Sequence, residues 1–291
     1  MIYVSTTYPK KEKTNLQQTL GQLMKLDIDG IEIGSTHYFQ TQQQFKKIIK
    51  NNIKNKKILI HNFFPPISDM NFIINIASLD KALHSKSMEI IMNNIDFCKN
   101  IGSDLYTIHP GFLSTATPSF DFKKNNYDFN FSTSNINNYN KAFDKMLYSL
   151  KKIVRYAKSQ NVQIAIETEG SFKKNQFLIM QRPKEFRILF NEIPSHLMVN
   201  ANLSHIYLAS KVFKFLIKNF LNFLKPKIAA IELSSNNGID DQHMPLKKNC
   251  INLQHLKLLK INKPVILEFR NCNLKQLKKS INILKNFNAK N

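Results

Sequence analysis

The feature that most constrains this chain is a pattern repeated eight times: a short, nearly unbroken apolar run followed by a helical or helix-like segment. The runs are Ile2–Ser5, Gly30–Gly34, Lys57–His61, Asp104–His109, Gln163–Glu167, Leu197–Asn200, Ile228–Leu233 and Pro264–Phe269. Apolar character at successive positions, not alternate ones, predicts strands buried on both faces, as in parallel sheets covered by helices. Helical stripes lie between them. Leu16, Leu20, Leu23 and Met24 share one face, as do Met88, Ile91, Met92, Ile95 and Cys98, ending at Gly102 as a left-handed C-terminal glycine. Phe143, Met146, Leu147, Leu150, Val154 and Ala157 form a third stripe, closed by Asn161. Tyr207, Leu208, Val212, Phe215 and Leu216 form a fourth, and Leu274, Leu277, Ile281 and Leu284 the last.

Eight strand–helix repeats predict an α/β protein, a (β/α)8 TIM barrel forming a single domain over 1–291. A doubly wound sheet is the alternative, but it usually carries a Gly-rich turn after its first strand. With seven Gly in the whole chain, no P-loop or dinucleotide fingerprint exists. Two loops are long, 62–84 after the third strand and 110–136 after the fourth. Both are expected at the C-terminal face, where barrel enzymes place their sites. The second is aromatic and polar without helical period, and reads as a lid or substrate loop or as a tolerated insertion.

Composition narrows the function classes. No run approaches the roughly 18 apolar residues of a membrane-spanning helix. The opening segment MIYVSTTYPKKEK lacks a hydrophobic signal-peptide core. Three cysteines far apart, Cys98, Cys250 and Cys272, exclude a disulfide framework and fit a reducing cytoplasm. The formal charge of +22 comes from 38 Lys and only 4 Arg, beside 35 Asn. DNA readers concentrate Arg for its bidentate fork, so this Lys-and-Asn excess is mostly compositional background. A basic body still draws anionic substrates.

Polar residues end nearly every apolar run. The third ends at His61 and the fourth at His109. The fifth ends at Glu167, and the sixth leads through Asn200 and Asn202 to His205. The seventh reaches Glu232 and a loop with Asp241 and His243, and the eighth ends at Glu268, with Arg270 just beyond. One His or Glu at a strand end is usually a hydrogen-bonded rim residue. In a barrel, however, all these ends converge on one mouth, where crowded carboxylates repel and pick up protons. A divalent cation relieves that repulsion, and His plus carboxylate is the donor set of zinc, manganese or cobalt.

The strand ends HNFFPP, HPGF, IAIETEG, NLSH, DDQHMPL and LEFR, together with IELSSNNGIDDQHMPL, resemble those of the xylose-isomerase-like barrels. That superfamily holds sugar and sugar-phosphate isomerases and epimerases, and endonuclease IV. The resemblance runs from Gly30-Ile31-Glu32 to Glu268. It implies that Glu167 and Glu268 hold the metal and exchange protons with substrate, with Asn202, Glu232 and His205 completing the metal set. His61, His109, Asp241 and His243 match additional ligands of the trinuclear members, or substrate-binding groups, and Arg270 could bind a substrate oxygen or phosphate. Asn202 stands where the family has Asp and Glu232 where it has His, a change that shifts preference toward manganese or magnesium.

The resemblance therefore implies a divalent cation (Mn, Mg, Co or Zn) and a small sugar or sugar-phosphate substrate. Isomerisation or epimerisation would proceed by proton transfer through an enediolate. An endonuclease IV-like phosphodiesterase on abasic DNA is the second reading, and a catalytically silent barrel acting as a binding module the third. No membrane partner is expected, and such barrels often pair as homodimers.

Overall fold

The computed structural model describes residues 1–9, 13–66, 71–121, 126–170 and 177–289. The elements run β1 (Ile2–Ser5), α1 (Leu16–Leu23), β2 (Gly30–Ile33), α2 (Gln42–Asn52), β3 (Lys57–His61), α3 (Lys81–Ile101), β4 (Leu105–Ile108), β5 (Ala116–Asp121) and β6 (Asn126–Phe131). They continue with α4 (Tyr139–Ser159), β7 (Gln163–Glu167), α5 (Pro183–Glu192), β8 (Leu197–Asn202), α6 (Leu203–Phe213), α7 (Ile217–Leu224), β9 (Ile228–Leu233), α8 (Ile251–Leu259), β10 (Val265–Leu267) and α9 (Leu274–Asn288). Strands β1, β2, β3, β4, β7, β8, β9 and β10 close in that order into a barrel, each paired in parallel with its neighbours. The protein is a (β/α)8 barrel.

The continuous apolar runs have two destinations. Residues such as Val4, Ile31, Ile33, Ile60, Ile108, Ile166 and Val199 face outward and pack under the helices in the main core. Tyr3, Leu59, Leu105, Ala165, Ala230 and Ile266 point inward and form a separate apolar layer that plugs the barrel, with Met198 packed against it. Each fully buried Leu or Ile contributes about 1.5–3 kcal/mol, so both layers oppose any one-residue slip of a strand.

Helix ends follow local chemistry. Asp80 caps α3 through the Leu83 N–H, and Gly102 ends it at φ +79°, as expected. The stripe expected to continue through Phe215 and Leu216 breaks earlier. Lys214 adopts a left-handed conformation at φ 55°, α7 starts afresh at Ile217, and Leu216 is left 71% exposed.

The two long loops behave differently from simple insertions. The first buries Phe64, Ile73, Ile74, Ile76 and Ala77, while 67–70 lie outside the described residues. The second contains an antiparallel hairpin, β5 against β6, whose tip at 122–125 also lies outside them. Phe129 and Phe131 of β6 pack on Phe112 and Phe63, which seats the hairpin beside the mouth. Among the described residues no helix is long and apolar enough to cross a membrane.

Candidate active site

The alternation that aims Tyr3, Leu59 and Leu105 into the barrel also aims the residue two positions later along each strand. That next layer, toward the C-terminal mouth, is Ser5, Glu32, His61, Thr107, Glu167, Asn200, Glu232 and Glu268, all buried. An apolar plug thus carries a polar ring, and the ring holds four carboxyl groups. Asn202 ends β8, His205 sits in the first turn of α6, and the loops after β4, β7 and β9 add His109, Glu169, Asp241 and His243.

Imidazoles and carboxylates gather into two clusters. In the first, His61 Nε2 lies 3.0 Å from Glu167 Oε2, and His109 Nε2 lies 3.7 Å from the same oxygen. In the second, Asp241 Oδ2 lies 3.1 Å from His205 Nε2 and 2.7 Å from His243 Nε2. Glu167 reaches both clusters, since its Oε1 is 3.2 Å from His205 Nδ1. Glu268 Oε2 lies 3.0 Å from His243 Nδ1 on the far side of the second cluster.

Asn202 joins Glu167 to Glu232. Its Nδ2 donates to Glu167 Oε1 at 3.0 Å and to Glu232 Oε2 at 2.8 Å, and Asn200 Nδ2 donates to Glu232 Oε1 at 2.5 Å. Asn202 Oδ1 accepts from the backbone N–H groups of Ser204 and His205, capping α6. Those two N–H groups fix which end of the amide faces the carboxylates. The resemblance implied Asn202 as a member of the metal set, and an amide ligates through its carbonyl oxygen. The structure gives that oxygen to the helix and presents the nitrogen instead.

Backbone geometry at His243 is unusual. Its φ of 46° lies in the left-handed region, and the conformation is held by paired Ser235–Met244 backbone bonds and by the Arg270 N–H on the His243 carbonyl. The chain is equally tight at Gly170. A Cβ there would lie 2.0 Å from the His205 carbonyl oxygen, so only glycine lets the loop after β7 press against the start of α6.

Environment shifts the carboxyl groups of the ring in opposite directions. Burial pushes the Glu232 carboxyl well above the usual carboxylate range, and the charges of Glu167, Glu268 and Glu32 add to this. Burial also pushes Glu32 up, to about 7. It acts on Glu167 too, but there His109, His205 and His61 prevail and hold the group well below the usual range. Glu268, likewise buried, is drawn down to about 2 by His243, Arg270 and His61. Desolvation disfavours charged imidazoles, yet the surrounding carboxylates raise His61 and His243 to about 9, and His205 well above its ordinary value.

These donors fit a divalent cation. Ligand atoms of His61, His109 and Glu167 lie within 4.8 Å of one another, as do those of His205, Asp241 and His243. Both oxygens of Glu32 and one of Asp241 are buried without a hydrogen-bond partner, which marks the mouth as incomplete without further polar groups.

The sequence from 20 to 287 matches the family profile of the xylose isomerase-like TIM barrel. The chain belongs to this family. An uncharacterised protein of Methanocaldococcus jannaschii is 28% identical over 224 residues, 76% of this chain and 74% of its own length. A second from that organism is 22% identical over 278 residues, 94% of this chain and 85% of its own. Among solved structures, a D-tagatose 3-epimerase-like protein superposes with a TM-score of 0.73 at 19% identity, covering 98% of this chain and 96% of that one. The D-psicose 3-epimerase of Clostridium cellulolyticum H10 gives 0.64 at 10% identity, over 99% and 98%. Sugar epimerases thus share this xylose isomerase-like barrel.

All ten residues singled out from sequence sit at the mouth end of the barrel, Arg270 at its edge with its charge acting on Glu268 and His243. Two further acids belong with them. Glu32 stands in the polar ring on β2, and Glu169 Oε1 lies 2.6 Å from His109 Nδ1. The Glu-x-Glu spacing at 167 and 169 was the available signal for Glu169, and position in the strand period the signal for Glu32.

Proposed function

We propose that the chain is a divalent-metal-dependent isomerase or epimerase acting on a sugar or, given its basic body, a sugar phosphate. The observation that carries this reading is the geometry of the ring: four buried carboxyl groups on separate strands, with His61, His109 and His205 around Glu167 and His243 against Glu268. The imidazoles draw Glu167 and Glu268 below the usual carboxylate range, while burial pushes Glu232 above it. Moving a proton off and onto a carbon beside a carbonyl needs two such carboxyl groups, one acting as base and one as acid.

A divalent cation held by His61, His109 and Glu167, or by His205, Asp241 and His243, would polarise the carbonyl and its neighbouring hydroxyl. Glu268 takes the proton from the adjacent carbon on one face, with its own charge kept by His243 and Arg270. Glu167, on β7, is the second exchanging carboxyl group and delivers its own proton to the opposite face, so the two groups swap acid and base roles with each turnover. Asn202 donates one N–H to each of Glu167 and Glu232 and so bridges the two neighbouring carboxyl groups. The apolar plug below and the aromatic hairpin beside His109 limit water. Arg270, next to the Glu268 strand end, would meet an anionic group of the substrate.

One observation favours a second reading. Two His-and-carboxylate clusters flank the centre, as a phosphodiesterase resembling endonuclease IV would use. Against it, Asn202 presents an N–H donor and not a ligating oxygen to Glu167 and Glu232.

Metal analysis of the purified protein, paired with turnover of a sugar-phosphate panel, tests the proposal. Bound manganese, magnesium, cobalt or zinc with isomerised product is the expected result. Nicking of abasic DNA without sugar turnover would replace it with the second reading. Absence of both metal uptake and turnover would leave a binding barrel.

A further inference from the structure

The residues that end β7 and begin its loop reach both imidazole clusters. Thr168 sets its carbonyl oxygen 2.8 Å from His205 Nδ1. A carbonyl only accepts, so Nδ1 carries the proton and Nε2 is the nitrogen turned to Asp241. Glu169, 6% exposed, treats His109 in the same way through a carboxylate, with Oε1 at 2.6 Å from Nδ1. His109 Nε2 is then the nitrogen turned toward Glu167 Oε2. The ring plane is fixed as well: Phe63 stacks on His109 at 5.4 Å between centroids, 29° from parallel, and Phe112 lies tilted at 6.4 Å.

We propose that Glu169 is a positioning residue: it fixes the Nδ1–H tautomer and the orientation of His109, so that Nε2 presents its lone pair to a divalent cation shared with His61 and Glu167. The proposal rests on the cation-binding reading above. A carboxylate bonded to the remote nitrogen of a ligating imidazole stops the ring from turning and strengthens the donor. His205 receives the same orientation from a neutral backbone carbonyl, which no side-chain substitution removes. In the second cluster the remote nitrogens are met by the Thr168 carbonyl at His205 and by Glu268 at His243, so a substitution at Glu169 touches the aim of an imidazole in the first cluster alone.

Cobalt(II) titration of the metal-free full-length protein, followed by visible absorption, tests this together with long-range nitrogen–proton NMR of the histidines before metal is added. In the wild type, His109 shows a proton on Nδ1 and cobalt fills both clusters. Glu169→Ala loses that tautomer preference and weakens one cobalt site about 10–100-fold while leaving the other unchanged. Glu169→Gln, isosteric and still able to accept the Nδ1 proton, falls between the two and keeps the test valid should the alanine variant fold poorly. Wild-type cobalt affinity at both sites in Glu169→Ala and Glu169→Gln overturns the proposal alone. Equal weakening of both sites overturns it too, as a general loss of structure. A wild type that takes up no cobalt overturns the proposal and the cation-binding reading together.

Discussion

Asn202 donates its side-chain nitrogen to Glu167 Oε1 at 3.0 Å while its oxygen caps α6. The same nitrogen donates to Glu232 Oε2 at 2.8 Å, so a neutral amide bridges two neighbouring carboxyl groups that a third carboxylate at this position would repel. Asn202→Asp keeps the cap but replaces both amide donations with repulsion. Metal-free Asn202→Asp should lose about 1–3 kcal/mol of stability. Manganese should then raise its melting temperature more than it raises that of the wild type. Thermal melts with chelator and with manganese check this; equal metal-free melting temperatures would contradict it.

His61 and His243 are raised to about 9 by the carboxylates around them, against their own desolvation. A folded-state value above the unfolded one means their contribution to metal-free stability is complete below about 6.5 and is lost as pH rises through about 9. To hold a cation the same imidazoles must give up protons. Cation affinity should therefore climb from pH 6 toward about 9, and metal uptake at pH 7 should release protons into a weakly buffered solution. Calorimetry in buffers of different ionisation enthalpy counts them. Uptake without proton release would contradict the assignment.

Away from the ring, His37 is buried between the hydroxyls of Thr14 and Thr6, at 2.9 Å and 2.8 Å. Burial lowers it to about 4. Here the sign reverses. Stability is complete above about 6.5 and falls as pH drops toward 4, by about 3 kcal/mol for this group. Denaturant titrations between pH 7 and pH 4 should show a shallower loss in His37→Gln than in the wild type.

Gly170 has no room for a side chain against the His205 carbonyl oxygen. Gly170→Ala should displace the start of α6 and with it His205 and the Asn202 cap. The expected result is a lower melting temperature by several degrees and weaker cation binding, read by thermal melts and cobalt titration. An unchanged cobalt titration would show that the loop after β7 does not set the second cluster.

Much of this architecture was legible in the sequence because barrel strands are buried on both faces. KILIH, QIAIE and IAAIEL announce themselves without any partner in view, and their last residues mark the mouth. The hairpin was not legible, because ATPSFD and NYDFNF carry Pro, Asn and Asp, residues of low strand propensity. Its place beside the mouth depends on Phe129 and Phe131 meeting Phe112, a contact between distant segments. The break at Lys214 needed a left-handed residue that no Gly or Asn signalled. Within the site, residue types were readable but side-chain direction was not. That Asn202 turns its nitrogen inward follows from two backbone N–H groups of α6, and that Glu169 belongs to His109 follows from the course of two loops.

A polar ring that moves protons on a sugar carbon should exchange them with solvent. The most direct test incubates the metal-loaded protein in deuterated water with a panel of sugar phosphates and follows the carbons beside the carbonyl by NMR. The wild type should introduce deuterium at one such carbon of its substrate, and Glu268→Gln should slow this at least about a hundredfold, the scale of a lost general base. Full metal loading with no exchange on any member of the panel, or exchange undiminished in Glu268→Gln, would contradict the account.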